Sequence, residues 1–259
     1  VVSMTGSPYD LGSVDLTKNM EIYGLEDADG TRPVIMGTVS VNGTIDHFRC
    51  EGIEWNGNGY EIGRPVQIKD ATTTSINEVI FKNCTITGFE NGIFYSSDKV
   101  TNSDVGTLTF EGCDIYDIPG SGGDGIDIRD IDNKEVVKFG NINFINNTVY
   151  NSFRTFMRID EYVNITGKIT VRNNTIMGVS TFDNSNNRGI IGIQATSAAG
   201  KIEFSSNLFL HMETVSTMSS HNKNLPISSF TFSNNHFFDV NEEFFNDQCT
   251  EANAIAGGG

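Results

Sequence analysis

The sequence predicts an all-β protein, namely a right-handed parallel β-helix of about eight coils with three short strands in each coil. The first observation is a recurring phrase of the form aromatic-x-Asn-Asn-x-apolar, clear at 144–149 and 232–237 and, with Val in the first position, at 171–176. The second is its spacing, because weaker copies extend the series with intervals of 27 to 34 residues, beginning at Phe48, Phe81, Phe110 and Phe204. The third is the period-two alternation of the flanks, which is typical of strands. A period of this size indicates a solenoid whose repeats stack on one another.

Each repeat divides into three predicted strands. The first precedes the Asn pair, as in 79–81, 108–110 and 142–144, where the outer residues are apolar and point inward. The second follows the pair and contributes one apolar side chain, for example Ile86 or Ile115. The third is expected at 66–68, 93–95, 126–128, 157–159 and 191–193. Parallel crossovers of this kind are right-handed, whereas a β-sandwich would not place the same residue type at the same point of every repeat.

The Asn pairs predict a structural ladder at a sharp bend between strands. Asparagine tolerates a left-handed backbone and can hydrogen-bond neighbouring backbone groups. One column reads Asn83, Gly112, Asn146, Asn173, Ser206, Asn234, and the next reads Cys84, Cys113, Asn147, Asn174, Asn207, Asn235. Because Cys50, Cys84 and Cys113 fall in or beside the phrase, they are expected to be small interior groups. A disulfide between adjacent coils is the alternative.

The whole chain, 1–259, is predicted to form a single domain, with regular coils over about 14–245 and a C-terminal tail over 246–259. It begins Val1-Val2 and shows no signal peptide, so we expect a piece of a longer protein. No apolar stretch is long enough to cross a membrane. These features predict a monomer that is secreted or held at the cell surface.

The charge of the chain excludes one class of partner. The net charge is −16, and residues 1–130 carry 21 Asp and Glu against 8 Lys and Arg. A polyanion such as a nucleic acid would be repelled by this half. Divalent cations or neutral partners fit better.

The third strand carries the charged residues that suggest a site. With Ile126, Met157 and Ile191 pointing inward, the outward residues form two predicted columns, Gln67-Phe94-Asp127-Arg158-Gly192 and Lys69-Ser96-Arg129-Asp160-Gln194. Adjacent coils would place Asp127 beside Arg158 and Arg129 beside Asp160, in one exposed patch. Such a patch is either a surface ion-pair ladder or a site for a charged polysaccharide. In that site Arg would neutralise a uronate carboxylate, while Asp would orient hydroxyls or a cation.

Neighbouring loops add further candidates. Asp124, at the end of a glycine-rich loop, and Asp127 suggest Ca²⁺ as a cofactor, although two carboxylates are an incomplete coordination sphere. Arg188 lies in a polar loop at 182–189 and is a candidate for substrate binding. Trp55 and Tyr60 lie in the turn-rich segment 54–60, so we expect them to be exposed and able to stack on sugar rings.

With its coils and Asn ladder, the chain resembles the pectin-lyase-like superfamily of right-handed β-helices over residues 14–245. Phrases such as 169–176 look most like secreted Bacteroidetes β-helix domains related to the chondroitinase B and alginate lyase family. That resemblance implies β-elimination on a uronate-containing glycan, with a Lys on one coil and an Arg on the next. Arg158, within 156–160, resembles the Arg strand, but the neighbouring coil offers Arg129 rather than Lys. The family's catalytic pair is therefore not reproduced.

A second resemblance is narrower. The segment 123–128 is similar to one turn of polygalacturonase-type glycosidases, but their further carboxylate phrases are missing. The sequence leaves three functions open: a polysaccharide lyase-like protein, a non-catalytic glycan-binding or adhesion module, and a structural stalk. The fold does not decide between them.

Overall fold

The computed structural model describes residues 1–119, 124–130, 132, 134–178, 191–212, 225 and 227–240. These residues form 23 strands and two short 3-10 helices, Thr196–Ala198 and Ile227–Ser229. Every pairing between the strands is parallel, as in β10 with β13 or β11 with β14 in the order given below. Within the same residues there is no helix that could span a lipid bilayer.

The strands follow one another in short steps along the chain. In chain order they are β1 Tyr9–Leu16, β2 Met20–Tyr23, β3 Val34–Val41, β4 Thr44–Glu51, β5 Glu54–Asn56, β6 Val66–Ile68, β7 Thr73–Lys82, β8 Thr85–Thr87, β9 Phe94–Ser96, β10 Asn102–Glu111, β11 Asp114–Ile118, β12 Ile126–Ile128, β13 Val137–Ile145, β14 Thr148–Ser152, β15 Met157–Ile159, β16 Asn164–Ile165, β17 Ile169–Arg172, β18 Thr175–Met177, β19 Ile191–Ile193, β20 Ile202–Ser205, β21 Leu208–Met212, β22 Phe230–Ser233 and β23 His236–Val240.

The strands stack in three rows that wind as a solenoid. The first row is β2-β4-β7-β10-β13-β17-β20-β22, with β16 beside β13. The second-strand row is β5-β8-β11-β14-β18-β21-β23, and the third-strand row is β6-β9-β12-β15-β19. Eight rungs in the first row give about seven turns, so the predicted parallel β-helix is confirmed with a slightly smaller coil count. This architecture is compatible with the pectin-lyase-like fold that the resemblance implies.

The second-strand and third-strand rows are joined at one end by β3. The first half of β3 pairs with β5 and its second half with β6, while β1 covers its other edge. Gly37 lies at the bend between the halves with φ 130°, and a Cβ there would lie 2.4 Å from the carbonyl oxygen of Gly12. Trp55 donates its indole N–H to the carbonyl of Gly37 at 2.9 Å. The bend therefore requires glycine and draws Trp55 into the core.

Aromatic and branched apolar side chains fill the interior in columns. Phe81 stacks on Phe110 with ring centroids 5.1 Å apart, and both are fully buried. The weaker phrase at Phe48 is out of register, since Phe48 pairs with Val79 and Cys50 pairs with Phe81. The predicted alignment of Phe48 with Phe81 is therefore wrong by two residues. In this coil the aromatic residue comes first and the small residue second, the reverse of the order in the next coil.

The asparagine ladder is confirmed. The Oδ1 atom of Asn174 accepts the backbone N–H of Asn147 at 2.8 Å, and Asn207 does the same for Asn174 at 3.1 Å. Each amide also donates to a backbone carbonyl of the preceding coil, as Asn174 does to Phe144 at 2.8 Å. The preceding residue of each pair has a left-handed backbone, for example Asn173 with φ 56°. The side chains thus satisfy backbone groups that are buried at the corner.

Cysteine continues this column where asparagine ends. The thiol of Cys113 donates to the carbonyl of Phe81 at 3.6 Å, and that of Cys84 to the carbonyl of Cys50 at the same distance. All three cysteines are buried free thiols, as expected for interior groups. Cys249 lies outside the described residues.

A second left-handed corner, which the sequence did not predict, lies five residues after the first in six successive coils. Its members have φ between 48° and 71° and are Gly88, Asp117, Asn151, Gly178, His211 and Asp239. The signal in the sequence is a Gly, Asn or Asp two residues after the apolar residue of the second strand, with His211 as the exception, since these residue types tolerate this conformation. The two corners keep a constant spacing in these coils.

Replacing Asn174 with alanine tests the ladder. The change leaves the buried N–H of Asn147 and carbonyl of Phe144 without these partners. We expect a loss of about 2–4 kcal/mol in the free energy of unfolding, because each buried backbone group left unsatisfied costs roughly 1–3 kcal/mol. Urea denaturation followed by circular dichroism measures it. Thr175→Ala, at a partly exposed neighbouring position, is the control, and an equal effect from both variants would contradict a structural ladder.

Candidate functional site

The third-strand face, the outer surface of β6, β9, β12, β15 and β19, carries a continuous column of side chains. Its outward residues pair from coil to coil in the order Gln67, Tyr95, Asp127, Arg158, Gly192. The predicted neighbours Asp127 and Arg158 are confirmed. Phe94 was wrongly placed in this column, because β9 begins one residue later than expected and Phe94 points into the core against Phe139, with ring centroids 5.8 Å apart.

Two of the ion pairs on this face run along strands rather than between coils. Arg129 binds Asp127 through both ends of its guanidinium, with Nε to Oδ1 at 2.7 Å. Arg158 binds Asp160 in the same way, with both contacts at 2.8 Å. Residues two apart on a strand face the same side, so a long arginine side chain reaches its strand neighbour. Each of the two predicted pairs across coils is therefore replaced by a pair within one coil.

These charges are buried, and the expected exposure of the patch is wrong. Asp127 is fully buried, and Arg158 and Asp160 are 7% and 2% exposed. A third pair joins them, since Arg154 contacts Oδ1 of the buried Asp124 through Nε at 3.2 Å and through Nη2 at 3.1 Å. Arg158 also approaches Asp124 at 3.8 Å. Charges can be buried here because each guanidinium lies against a carboxylate.

Arg64 is a candidate that the sequence did not suggest. Its guanidinium lies over the ring of Tyr95, 4.4 Å from the centroid, and that of Arg129 lies 5.6 Å from the same ring. The Nε atom of Arg64 is buried without a hydrogen-bond partner. Arg64 precedes β6 in a loop, so no periodic signal marks it, and only the three-dimensional register brings it to Tyr95. Arg64, Gln67, Tyr95 and Arg129 are partly exposed and form the accessible rim of the cluster.

The electrostatics keep the rim cationic. Burial raises the pKa of Asp127, although its hydrogen bond with Arg129 opposes the shift. Burial alone would lower the pKa of Arg129, but the hydrogen bond and charge of Asp127 outweigh it, so the pKa of Arg129 is raised. Burial lowers the pKa of Arg64, with Asp127 opposing this shift. Arginine remains protonated under all ordinary conditions.

The cluster has an excess of positive charge in a strongly acidic protein. It gathers four of the eight arginines in the chain, Arg64, Arg129, Arg154 and Arg158. Three carboxylates accompany them, Asp124, Asp127 and Asp160, which leaves a charge of +1 against a chain total of −16. Nearby Asp130 has a different task, because it accepts the backbone N–H groups of Lys134 and Val136 and holds the following loop.

The geometry gives the calcium prediction no support. In the part of the chain that the structure describes, no group of three or more His, Cys, Asp or Glu residues is arranged to hold a metal ion. Asp124 and Asp127 both have guanidinium nitrogens at hydrogen-bond distance. Because Ca²⁺ takes six to eight oxygen ligands, these two carboxylates do not fit such a site.

The remaining predicted residues are dispersed. Trp55 is fully buried, so its expected exposure is wrong and it cannot stack on a ligand from the surface. Tyr60 is 46% exposed and lies in the loop before Arg64. Arg188 lies outside the described residues. The structure thus brings together Arg129, Arg158, Asp124, Asp127 and Asp160 of the predicted residues and adds Arg64, Tyr95 and Arg154 to them.

The solenoid and its charged face can now be set beside known proteins. A family described as a domain of unknown function (DUF4957) matches residues 7–152, which is more than half of the chain. The chain therefore belongs to this family. No curated protein and no solved structure matches it. The family description carries no activity, so a relationship to chondroitinase B or alginate lyases is not supported at the family level.

A double-mutant cycle tests the buried pair of Arg158 and Asp160. Asp160→Ala should lower the free energy of unfolding by about 3 kcal/mol, because it leaves a buried guanidinium without its bidentate partner. Arg158→Met combined with Asp160→Ala should cost less than Asp160→Ala alone. The exposed pair of Arg49 and Glu78 provides the control. Arg49→Met should leave the midpoint of urea unfolding nearly unchanged, because exposed ion pairs contribute little to stability. A double variant that loses the sum of both single effects would contradict this coupling.

Proposed function

We propose that this protein binds uronate-containing polysaccharides on its third-strand face. One observation carries the proposal: half of the arginines of an acidic solenoid converge there, and two of them, Arg64 and Arg129, lie against a partly exposed tyrosine ring. The fold itself is consistent with a carbohydrate-directed protein. The other features of the face decide how such a ligand would be held.

The accessible rim supplies the contacts that an acidic sugar needs. Guanidinium groups bind carboxylates bidentately, which gives both strength and geometric specificity. Tyr95 is partly exposed beside these guanidiniums and can contact the sugar. Gln67 donates to Ser40 at 3.0 Å and keeps one amide N–H and its amide oxygen for hydroxyls. The buried carboxylates Asp127 and Asp160 hold Arg129 and Arg158 in place, so the arginines are ordered before the ligand arrives.

Binding without bond cleavage fits the geometry better than elimination. A lyase needs a base that takes a proton from the carbon beside the uronate carboxylate, and a useful base has a pKa near the working pH. Arg129 has a raised pKa, and Arg158 is 7% exposed and held by Asp160. Both residues therefore support the binding role, although the resemblance implies a catalytic one. The protein would act outside the cell or at its surface, where such polymers occur.

Calorimetry with uronate-containing oligosaccharides tests the function. We expect one site per chain and an affinity that falls with ionic strength, because the contacts are between charges. Tyr95→Ala should weaken binding about tenfold, which corresponds to about 1.4 kcal/mol. Arg49→Ala, at the exposed pair on the first row, is the matched control and should bind like the wild type.

The same samples separate binding from catalysis. After incubation with each oligosaccharide, the ultraviolet absorbance of unsaturated uronate should stay at the level of the buffer. A rise in this absorbance that Arg129→Lys or Arg158→Lys abolishes would establish lyase activity and refute a purely binding role. Absence of binding to every acidic glycan would refute the proposed function altogether.

A further inference from the structure

We infer that the outer surface of the second-strand row is a docking surface for a basic amphipathic helix of a partner protein. This inference is independent of the proposed function, because it concerns a different row of the solenoid. A stripe of outward apolar side chains, the acidic character of its strands and the spacing of its rungs carry it.

An apolar stripe runs along five successive rungs of this row. The inward residues of these strands, such as Val149 and Ile176, are fully buried in the core. The outward residues pair from coil to coil, and in order they are Tyr116, Tyr150, Met177, Leu210 and Phe238. The first four are partly exposed, and Phe238 is 63% exposed. Contiguous exposed apolar patches are characteristic of interaction sites.

The side chains of the stripe fit apolar side chains of a partner better than a sugar. The rings of Tyr116 and Tyr150 stack on each other, with centroids 4.9 Å apart and planes 9° apart. Their facing surfaces are therefore occupied and closed to a sugar ring. Met177 and Leu210 offer adaptable or aliphatic contact area without strong hydrogen-bonding groups. The occupant is therefore apolar along its line of contact.

The charge around the stripe favours a basic occupant. None of the seven described strands of this row contains Lys or Arg, whereas four carboxylates lie on them, those of Glu54, Asp114, Asp117 and Asp239. Burial raises the pKa of Tyr116 and of Tyr150, and the charge of Asp117 raises both further. The negative potential of the carboxylates therefore reaches the stripe itself.

A second copy of this chain fits the stripe less well than a basic partner does. Two copies that paired through this row would bring identical carboxylates toward each other, and like charges across an interface are unfavourable. Arg32 approaches the row at Thr85, but it is already paired with Glu26. Lys or Arg residues that flank an apolar line of contact would instead pair with the carboxylates beside the stripe.

The rung spacing points to a helix that lies parallel to the axis of the rod. Rungs are about 4.8 Å apart, so the four steps of the stripe span about 19 Å. An amphipathic helix presents its apolar side chains once per turn of about 5.4 Å, whereas side chains on one face of a strand are about 6.7 Å apart. Over four steps the helix drifts by about 2.4 Å against the rungs and the strand by about 8 Å. A helix of about 13 residues therefore keeps its apolar side chains beside the whole stripe.

Fluorescence anisotropy with a labelled model peptide tests this surface. The probe has about 18 residues, which spans the stripe with a turn to spare, and carries Leu along one face and Lys on the others. It should bind the wild type at least tenfold more tightly than a peptide of the same composition whose leucines are scattered. A peptide with Glu in place of Lys should not bind.

Two double variants test the apolar stripe. Met177→Thr with Leu210→Thr should weaken binding of the probe at least tenfold. Threonine is compatible with this column, because Thr87 occupies it one rung before Tyr116. Ile80→Thr with Ile145→Thr changes two partly exposed outward positions of the first row and is the matched control, which should bind like the wild type.

Two further double variants test the charge. Asp114→Asn with Asp117→Asn should weaken binding of the probe about threefold or more and reduce its dependence on ionic strength, because screened attractions are lost. Asp104→Asn with Glu203→Gln removes the same charge from the first row and should leave the affinity unchanged.

Equal binding of the two peptides of Leu and Lys would overturn the inference, as would unchanged binding by Met177→Thr with Leu210→Thr. A wild type that sediments as a dimer, together with a monomeric Met177→Thr, Leu210→Thr variant, would show that a second copy occupies the stripe and would overturn the basic partner. Neither result bears on the proposed function, whose ligand lies on the third-strand face.

Discussion

The stacked asparagine amides at the first corner are the interaction on which the rest of this structure depends. A solenoid turns sharply at each corner, and every turn buries backbone groups that no strand can satisfy. Each of these asparagines accepts a backbone N–H and donates to a backbone carbonyl of the preceding coil, as Asn174 does with Asn147 and Phe144. Asn147, Asn174 and Asn207 also donate to the asparagine of the following coil. This double role ties consecutive coils together at a fixed register. The outer columns of side chains exist only because that register holds.

The register also explains how a strongly acidic chain can build a cationic surface. Residues that are far apart in sequence come to adjacent rungs, as Tyr95, Asp127 and Arg158 do. At about 4.8 Å between rungs, the ion pairs that form along each strand lie side by side and share one buried environment. Arg64 and Arg129 then both lie against the ring of Tyr95. The resulting positive charge is local, and the net charge of the chain does not reveal it.

The repeating parts of the molecule were predictable from the sequence, and the parts between repeats were not. The Asn and Cys columns follow from residue type at a constant spacing, so the ladder and the buried thiols were predicted correctly. Phe94 was misplaced because the connection before β9 does not keep that spacing. Trp55 was taken to be exposed because its partner, the Gly37 carbonyl, lies in another coil. Arg64 lies in such a connection too, and only coordinates show what it contacts.

The two left-handed corners lie five residues apart in six coils, whereas the stretch from the second corner to the third strand has no set length. It is six residues from Gly88 to Phe94, nine from Asp117 to Ile126, and six again from Asn151 to Met157. The side between the two corners therefore keeps one length in these coils, whereas the side that leads to the third strand accepts insertions. Lengthening that side can change what the rod recognises while the spine of asparagines stays in place.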